Sequence, residues 1–248
     1  MDQIKLVIFD MAGTTVKDDQ VVVNCFYEAA NSTGLAATRH RINSMHGLPK
    51  KKVIQTLWEE MNGEGHPDNE KNIENTFRAF KEILENHYRT NPVVPTPGTL
   101  ETFNWLKSEG VKIALNTGFY REVVDIILNK LGWDIGLDEN YLGSENSLID
   151  LSVTPSETNG IGRPHPDMIF RAMDLLNIKD PKNVVKIGDT PSDLREGIAA
   201  GCLLSLAVTN GSHDKEELEL FYNDGLIPSM EKFKGYILQK VNYLQLIN

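Results

Sequence analysis

Three carboxylates in this chain stand at or just past the ends of buried-looking strands. Leu6-Val7-Ile8-Phe9 is a continuous apolar run that stops at Asp10, and the small-residue turn Met11-Ala12-Gly13-Thr14-Thr15 follows. Val184-Val185-Lys186-Ile187-Gly188 is a second run; it delivers Asp189, with Asp193 four residues on. A third, Val111 to Asn116, ends in Thr117-Gly118. Short, mainly apolar runs without alternation suit strands of a parallel sheet covered on both faces, and ligands bind beyond the carboxyl ends of such strands. Hard carboxylate oxygens collected there suit Mg²⁺. Thr117, ahead of a helical stripe Val123, Val124, Ile127, Leu128 and Leu131, is placed to hydrogen-bond a phosphate at a helix N-terminus. Gly13 permits a tight turn whose amides, with the Thr hydroxyls beyond, could hold an anion. Alone, Asp10 could equally cap a turn; the two later stretches turn the reading toward chemistry.

The elements that must position these residues alternate strand and helix on either side of one long exception. From Val16 to about Asn91 strand-like runs vanish. Helical stripes replace them: Val21, Val22, Cys25, Phe26 and Ala29; then Val53, Ile54, Leu57, Trp58 and Met61; then Ile73, Phe77, Phe80, Leu84 and Tyr88. The loop Gly63-Glu64-Gly65-His66-Pro67 separates the last two. The expected organisation is an α/β core of residues 1–15 and 97–248, a doubly wound parallel sheet, with a helical cap of residues 16–96 inserted after the first strand. Asn-Pro-Val-Val-Pro-Thr-Pro-Gly (91–98) is a proline-stiffened return hinge. After it come a helix over Thr99–Glu109, a helix through Met168–Leu176, a strand Cys202–Val208, and a tail of helix, short edge element and closing helix.

At 248 residues the chain can bury a sizeable core. A formal net charge of −10 argues against nucleic acid or an anionic membrane surface as partner, so phosphate recognition must come from a few local cations and amides. Two cysteines, Cys25 and Cys202, make no disulfide framework, which with no signal-peptide pattern points to the cytoplasm. No apolar run is long enough for a bilayer.

In its ordered motifs the chain resembles the haloacid dehalogenase superfamily of aspartate-nucleophile hydrolases, whose fold is Rossmann-like. Asp10, Thr117 and the pair Asp189/Asp193 match its first, second and fourth motifs, and Arg163 in Gly160-Ile161-Gly162-Arg163-Pro164 sits where most members carry lysine. Asp-x-Ala-Gly-Thr together with that arginine is similar to the phosphonatase (phosphonoacetaldehyde hydrolase) subfamily. The resemblance implies Asp10 as nucleophile and Mg²⁺ held by Asp10, the Ala12 carbonyl and Asp189. Asp193 would order the metal's water shell or Arg163. Thr117, Gly118, Arg163 and the Ala12–Gly13 turn would grip the phosphoryl group. It further implies a mobile cap that closes over the site and suggests a homodimer formed through that cap.

Lys50, after Pro49 at a helix start, aligns with the subfamily's Schiff-base lysine. A lysine must lose its proton to attack a carbonyl; a helix N-terminus and the neighbouring Lys51 and Lys52 disfavour its charge. The competing reading is a solvated basic run. Ala12 is the second discriminator. Phosphatases of the superfamily usually carry there an Asp that protonates the leaving alcohol, help worth a factor of about 10²–10⁴. A C–P bond broken toward a protonated imine needs no such acid.

The chain departs from the subfamily pattern at Val53, where a histidine is usual, at His46 in place of methionine, at Gln20 in place of cysteine and at Phe119 in place of tyrosine. His46 could take over the proton transfer of the missing histidine. The expected substrate is therefore phosphonoacetaldehyde or a related 2-oxoalkylphosphonate. The alternatives are a phosphomonoesterase acting on a small phosphorylated metabolite (phosphoglycolate- or sugar-phosphate-like) and a non-catalytic phosphometabolite binder. Trp58 and Trp105 read as core residues, and His66, His87 and His213 show no metal-ligand spacing.

Overall fold

The computed structural model describes residues 3–247, with the backbone alone for 242–247. Its centre is β1 (Leu6–Phe9), every residue of which is buried. Four helices follow before the next strand: α1 (Val21–Thr33), α2 (Arg39–Asn43), α3 (Lys50–Asn62) and α4 (Asn69–Thr90). The α/β rhythm then resumes with α5 (Thr99–Ser108), β2 (Lys112–Asn116), α6 (Arg121–Leu131), β3 (Leu151–Val153), α7 (Asp167–Leu175), β4 (Val184–Gly188), α8 (Pro191–Ala200), β5 (Leu204–Val208), α9 (Lys215–Leu218), β6 (Gly225–Ile227) and α10 (Phe233–Ile247). The six strands form one parallel sheet in the order β3-β2-β1-β4-β5-β6.

That order makes the junction of β1 and β4 the switch point at which successive crossovers change direction, the place where open α/β sheets bind ligands. Register does the rest. Phe9 pairs with Leu115 on one side and Ile187 on the other, and Asp10 N–H donates to the Ile187 carbonyl at 2.9 Å. Asp10, Thr117 and Asp189 thereby emerge side by side from three adjacent strands. The alternation of β1 explains its unbroken apolar run: Leu6 and Ile8 face Met168, Ile169 and Ala172 of α7, while Phe9 packs edge-on against Phe103 of α5 (centroids 5.1 Å) and against Phe233 of α10 (5.6 Å).

Helices α1–α4 pack on one another, with Phe26 against Phe80 (5.1 Å) and the Trp58 indole donating to Thr76 Oγ1 at 2.9 Å, and their apolar faces run on into the core that covers one side of the sheet. The two strands of chain leading to and from them are hydrogen-bonded together: Thr96 N–H to Thr15 O (3.0 Å), Lys17 N–H to Val94 O (3.0 Å) and Thr96 Oγ1 to Thr14 O (2.5 Å).

Three details differ from the sequence expectation. β3 was not anticipated, because Leu-Ser-Val is too short to show a period. α2 offers a single buried residue, Ile42, and so no stripe. β5 starts at Leu204 rather than Cys202, because Cys202 and Leu203 close the turn after α8. Trp58, Trp105 and Trp133 are all buried. Among the described residues no helix is long and apolar enough to cross a membrane.

Candidate active site

Asp10, Asp189 and Asp193 offer carboxylate oxygens that all lie within 4.8 Å of one another, and all three residues are buried. Arg163 joins them from the loop before α7, 2 % exposed, with Nη2 at 2.8 Å from Asp10 Oδ1 and Nη1 on Asp193 Oδ1. Thr15 Oγ1 caps the Asp10 carbonyl at 2.8 Å, and the amides of Thr14, Thr15 and Val16 all donate to Met11 O. The turn 11–16 is a tightly hydrogen-bonded loop that brings Gly13 against Asp189. A side chain at Gly13 would lie 2.1 Å from Asp189 Oδ2, so the glycine there makes room for the carboxylate. Asp189 is further fixed by the Ser212 amide at 2.6 Å and Thr14 Oγ1 at 3.4 Å. Thr117 is buried and accepts the Phe119 amide at 3.3 Å.

Electrostatics separates the roles of the carboxylates. Burial and the Asp193 charge raise the Asp10 carboxyl against the pull of Arg163. Asp189 is pushed well up by burial and by the charges of Asp10 and Asp193. Burial would raise Asp193 too, but Arg163 and Lys186 outweigh it and hold it below the usual carboxylate range. Asp10 and Asp189 are therefore short of positive charge, while Asp193 is already served. Its Oδ1 accepts from Arg163 and from Lys186 Nζ (2.7 Å), and its Oδ2 from Thr190 Oγ1 (2.5 Å).

This donor set fits a divalent cation. Four buried carboxyls (Asp10, Asp189, Asp193, Glu196) face three buried cations (Lys50, Arg163, Lys186), and hard oxygens with an unmet negative charge are what Mg²⁺ takes. Asp10, Asp189 and the Ala12 carbonyl would hold it. Asp193, expected as a ligand or as an organiser of Arg163, has the contacts of the organiser.

Behind the cluster runs a chain of polar contacts that the sequence reading passed over. Lys186, fully buried on β4, reaches Asn116 Oδ1 at 2.8 Å, and Asn116 Nδ2 donates to both oxygens of Glu196 on α8 at 2.9 Å. Burial lifts the Glu196 carboxyl to about 7. The available signal was a lysine standing alone in an apolar strand, which must find an anion if that strand is buried.

The inserted helices close on this floor through the loop ahead of α3. Ser192 Oγ donates to the His46 carbonyl at 3.4 Å, and Asn43 Nδ2 to the Ser212 carbonyl at 3.3 Å. Lys50, the first residue of α3, is 6 % exposed, and its Nζ lies 5.4 Å from the centre of the Phe119 ring. Its pKa falls to about 8, chiefly through burial and then through Arg163, with Asp10, Asp18 and Asp189 opposing. The cause differs from the one expected. Lys51 pairs with Glu74 at the surface and Lys52 reaches Gln55 in solvent; enclosure rather than the basic run lowers the amine. His46 is buried, and burial first, then the neighbouring Lys50, holds its pKa well below 6.5. Because burial keeps Lys50 neutral only above about 8, kcat/KM for a carbonyl substrate is expected to rise tenfold per pH unit below 8 and to level off above it. A profile flat from pH 6 to 9 would remove the amine from the chemistry.

The loop after β2 meets the loop ahead of α3 through bare backbone. A Cβ on Gly118 would lie 2.5 Å from Gly47 O and 2.8 Å from Leu48 O, and neither carbonyl can yield without moving the loop. Gly118→Ala is expected to wedge the two layers apart and to lower kcat/KM by about 10²-fold, with little change in melting temperature. Unchanged kinetics would mean that this contact has no part in turnover.

The family model for haloacid dehalogenase-like hydrolases matches residues 4–201, and the chain belongs to that family of hydrolases. A phosphonoacetaldehyde hydrolase of Bacillus cytotoxicus is 32% identical to it over 222 residues, covering 86% of this chain and 78% of that protein. A bifunctional phosphonoacetaldehyde hydrolase/aminoethylphosphonate transaminase of Clostridioides difficile is 29% identical over 94% of this chain, which spans 37% of that longer protein. Among solved structures, a phosphonoacetaldehyde hydrolase-like protein of Oleispira antarctica superposes with a TM-score of 0.76 at 20% identity, covering 96% of this chain and 92% of that one.

Proposed function

We propose that this hydrolase cleaves the C–P bond of phosphonoacetaldehyde or a related 2-oxoalkylphosphonate. The observation that carries the reading is Lys50: an amine enclosed over the carboxylate cluster, with its pKa brought to about 8, in a site where residue 12 has no acid. In this reading residues 16–96 are the cap and residues 1–15 and 97–248 the core.

The neutral Lys50 amine adds to the substrate carbonyl, and loss of water leaves a protonated imine. His46, uncharged, accepts the proton that the nitrogen sheds on addition. Arg163 and Thr117 hold the phosphoryl oxygens, the guanidinium matching their geometry with paired donors. Asp10 attacks phosphorus; the C–P bonding pair moves into the imine to give an enamine, and an aspartyl phosphate remains. Mg²⁺ at Asp10, Ala12 and Asp189 would neutralise charge on the phosphoryl oxygens. Protonation of the enamine carbon and hydrolysis free the aldehyde or ketone, and water cleaves the acyl phosphate. A cleft of about 290 Å³ runs outward from Lys50 between Pro49, Phe77, Phe119 and Tyr120, space that favours substrates larger than the two-carbon aldehyde.

Borohydride added with phosphonoacetaldehyde should fix a reduced adduct on Lys50, located by peptide mass, and Lys50→Ala should lose both the adduct and C–P cleavage. An unlabelled Lys50 in a sample that hydrolyses ordinary phosphate esters would replace this reading with a phosphomonoesterase.

A further inference from the structure

Among the described residues four buried side-chain polar atoms have no hydrogen-bond partner: Tyr88 Oη, Arg163 Nε, His213 Nδ1 and Asp125 Oδ1. Buried polar atoms are nearly always paired, so each exception asks for an explanation. Arg163 is committed to the phosphoryl group in the proposed reaction, and His213 stands behind His46. Tyr88 has no assignment.

Tyr88 lies in the last turn of α4 and is 4 % exposed. Its ring meets that of Phe119 edge-on with centroids 6.2 Å apart, and Lys50 Nζ approaches the same Phe119 ring. Burial acts on the hydroxyl first, then the charges of Asp18 and Cys25 in the inserted segment and of Asp10 at the end of β1. A phenylalanine would fill this space equally well and strand no hydroxyl. A phenol kept without a partner in an enclosed site fits a group that arrives from outside.

We propose that the Tyr88 hydroxyl is the donor that receives the substrate's carbonyl oxygen, opposite the Lys50 amine. This rests on the Schiff-base reading above. As the Lys50 nitrogen bonds to the carbonyl carbon, the π pair moves onto oxygen, which takes up through His46 the proton that the nitrogen sheds and becomes the carbinolamine hydroxyl. When the nitrogen lone pair forms the C=N bond, that hydroxyl takes a second proton from solvent and departs as water, leaving the protonated imine. The oxygen gains electron density in the first step and carries the departing pair in the second, so a fixed donor lowers both barriers. Burial, with the Asp18 charge, holds the phenol far above its ordinary pKa of 10.0, so it acts as a hydrogen-bond donor and keeps its proton.

The test is the rate of borohydride trapping with phosphonoacetaldehyde in the wild type and in Tyr88→Phe, beside the affinity of each for inorganic phosphate with Mg²⁺. Tyr88→Phe is expected to slow adduct formation on Lys50 by about 10²-fold, the loss typical of one such donor, with phosphate affinity unchanged. A wild type that gives no adduct defeats the Schiff-base reading itself. A wild type that gives the adduct, with Tyr88→Phe labelled as fast, defeats this assignment alone. If the variant melts much lower than the wild type, 3-fluorotyrosine at position 88 decides: its ¹⁹F resonance should move on adding phosphonoacetaldehyde but not on adding phosphate, and the absence of that difference overturns the proposal.

Discussion

Asp10→Asn is expected to end turnover of every substrate, with kcat reduced by about 10⁴-fold or more. The amide keeps the shape of the carboxylate and can still accept from Arg163, so binding should survive while the nucleophile is gone. The fold should not suffer. Burial and the Asp193 charge already disfavour a charged Asp10, so removing that charge should leave the melting temperature unchanged or raise it slightly. The check is kcat beside a trapped acyl phosphate, which hydroxylamine would cleave in the wild type and would not find in the variant. A variant retaining more than a hundredth of wild-type activity would show that another group attacks phosphorus.

The largest effect on stability is expected at Asp193. Its carboxylate lies between two buried cations, Arg163 and Lys186 at 2.7 Å. Asp193→Ala leaves both facing each other without an anion between them. Removing one member of a buried charge set costs about 3–5 kcal/mol, equivalent to roughly 10 °C in a chain of this size. Asp193→Asn should cost less, since its oxygen can still accept from one of them. The pH dependence has a definite sign. The folded Asp193 pKa is depressed, so its contribution is complete above the ordinary carboxylate range and disappears as the pH falls toward the folded value. Urea titrations at pH 7 and in acid would test this. An Asp193→Ala protein as stable as the wild type at pH 7 would mean that the two cations find other anions.

The catalytic floor was legible because its strands end where their apolar runs end. Phe9, Asn116 and Gly188 each hand over to a residue with chemistry, and register then does the aligning. Arg163 came from resemblance alone; it sits in an irregular loop with no periodic signal of its own. Lys50 was singled out with a mechanism only partly right, because sequence displays the neighbouring Lys51 and Lys52 but not the walls that enclose the amine. The Lys186–Asn116–Glu196 chain escaped because its members are far apart in sequence and meet only across two strands and a helix. Tyr88 was counted as one more apolar-stripe position on α4, which it is, apart from one oxygen.

The placement of β1 between β2 and β4 also bears on how the molecule comes together. Both partners of β1 lie far downstream: Phe9 waits for Leu115 and then for Ile187. The helices between β1 and β2 find much of their packing within the inserted segment itself, as with Phe26 and Phe80. Non-local pairings form slowly, and local helical contacts form fast. During synthesis residues 21–90 can gather while β1 remains an unpaired apolar segment, the kind of segment that invites aggregation. Asp10 is made well before either of the strands that fix its setting.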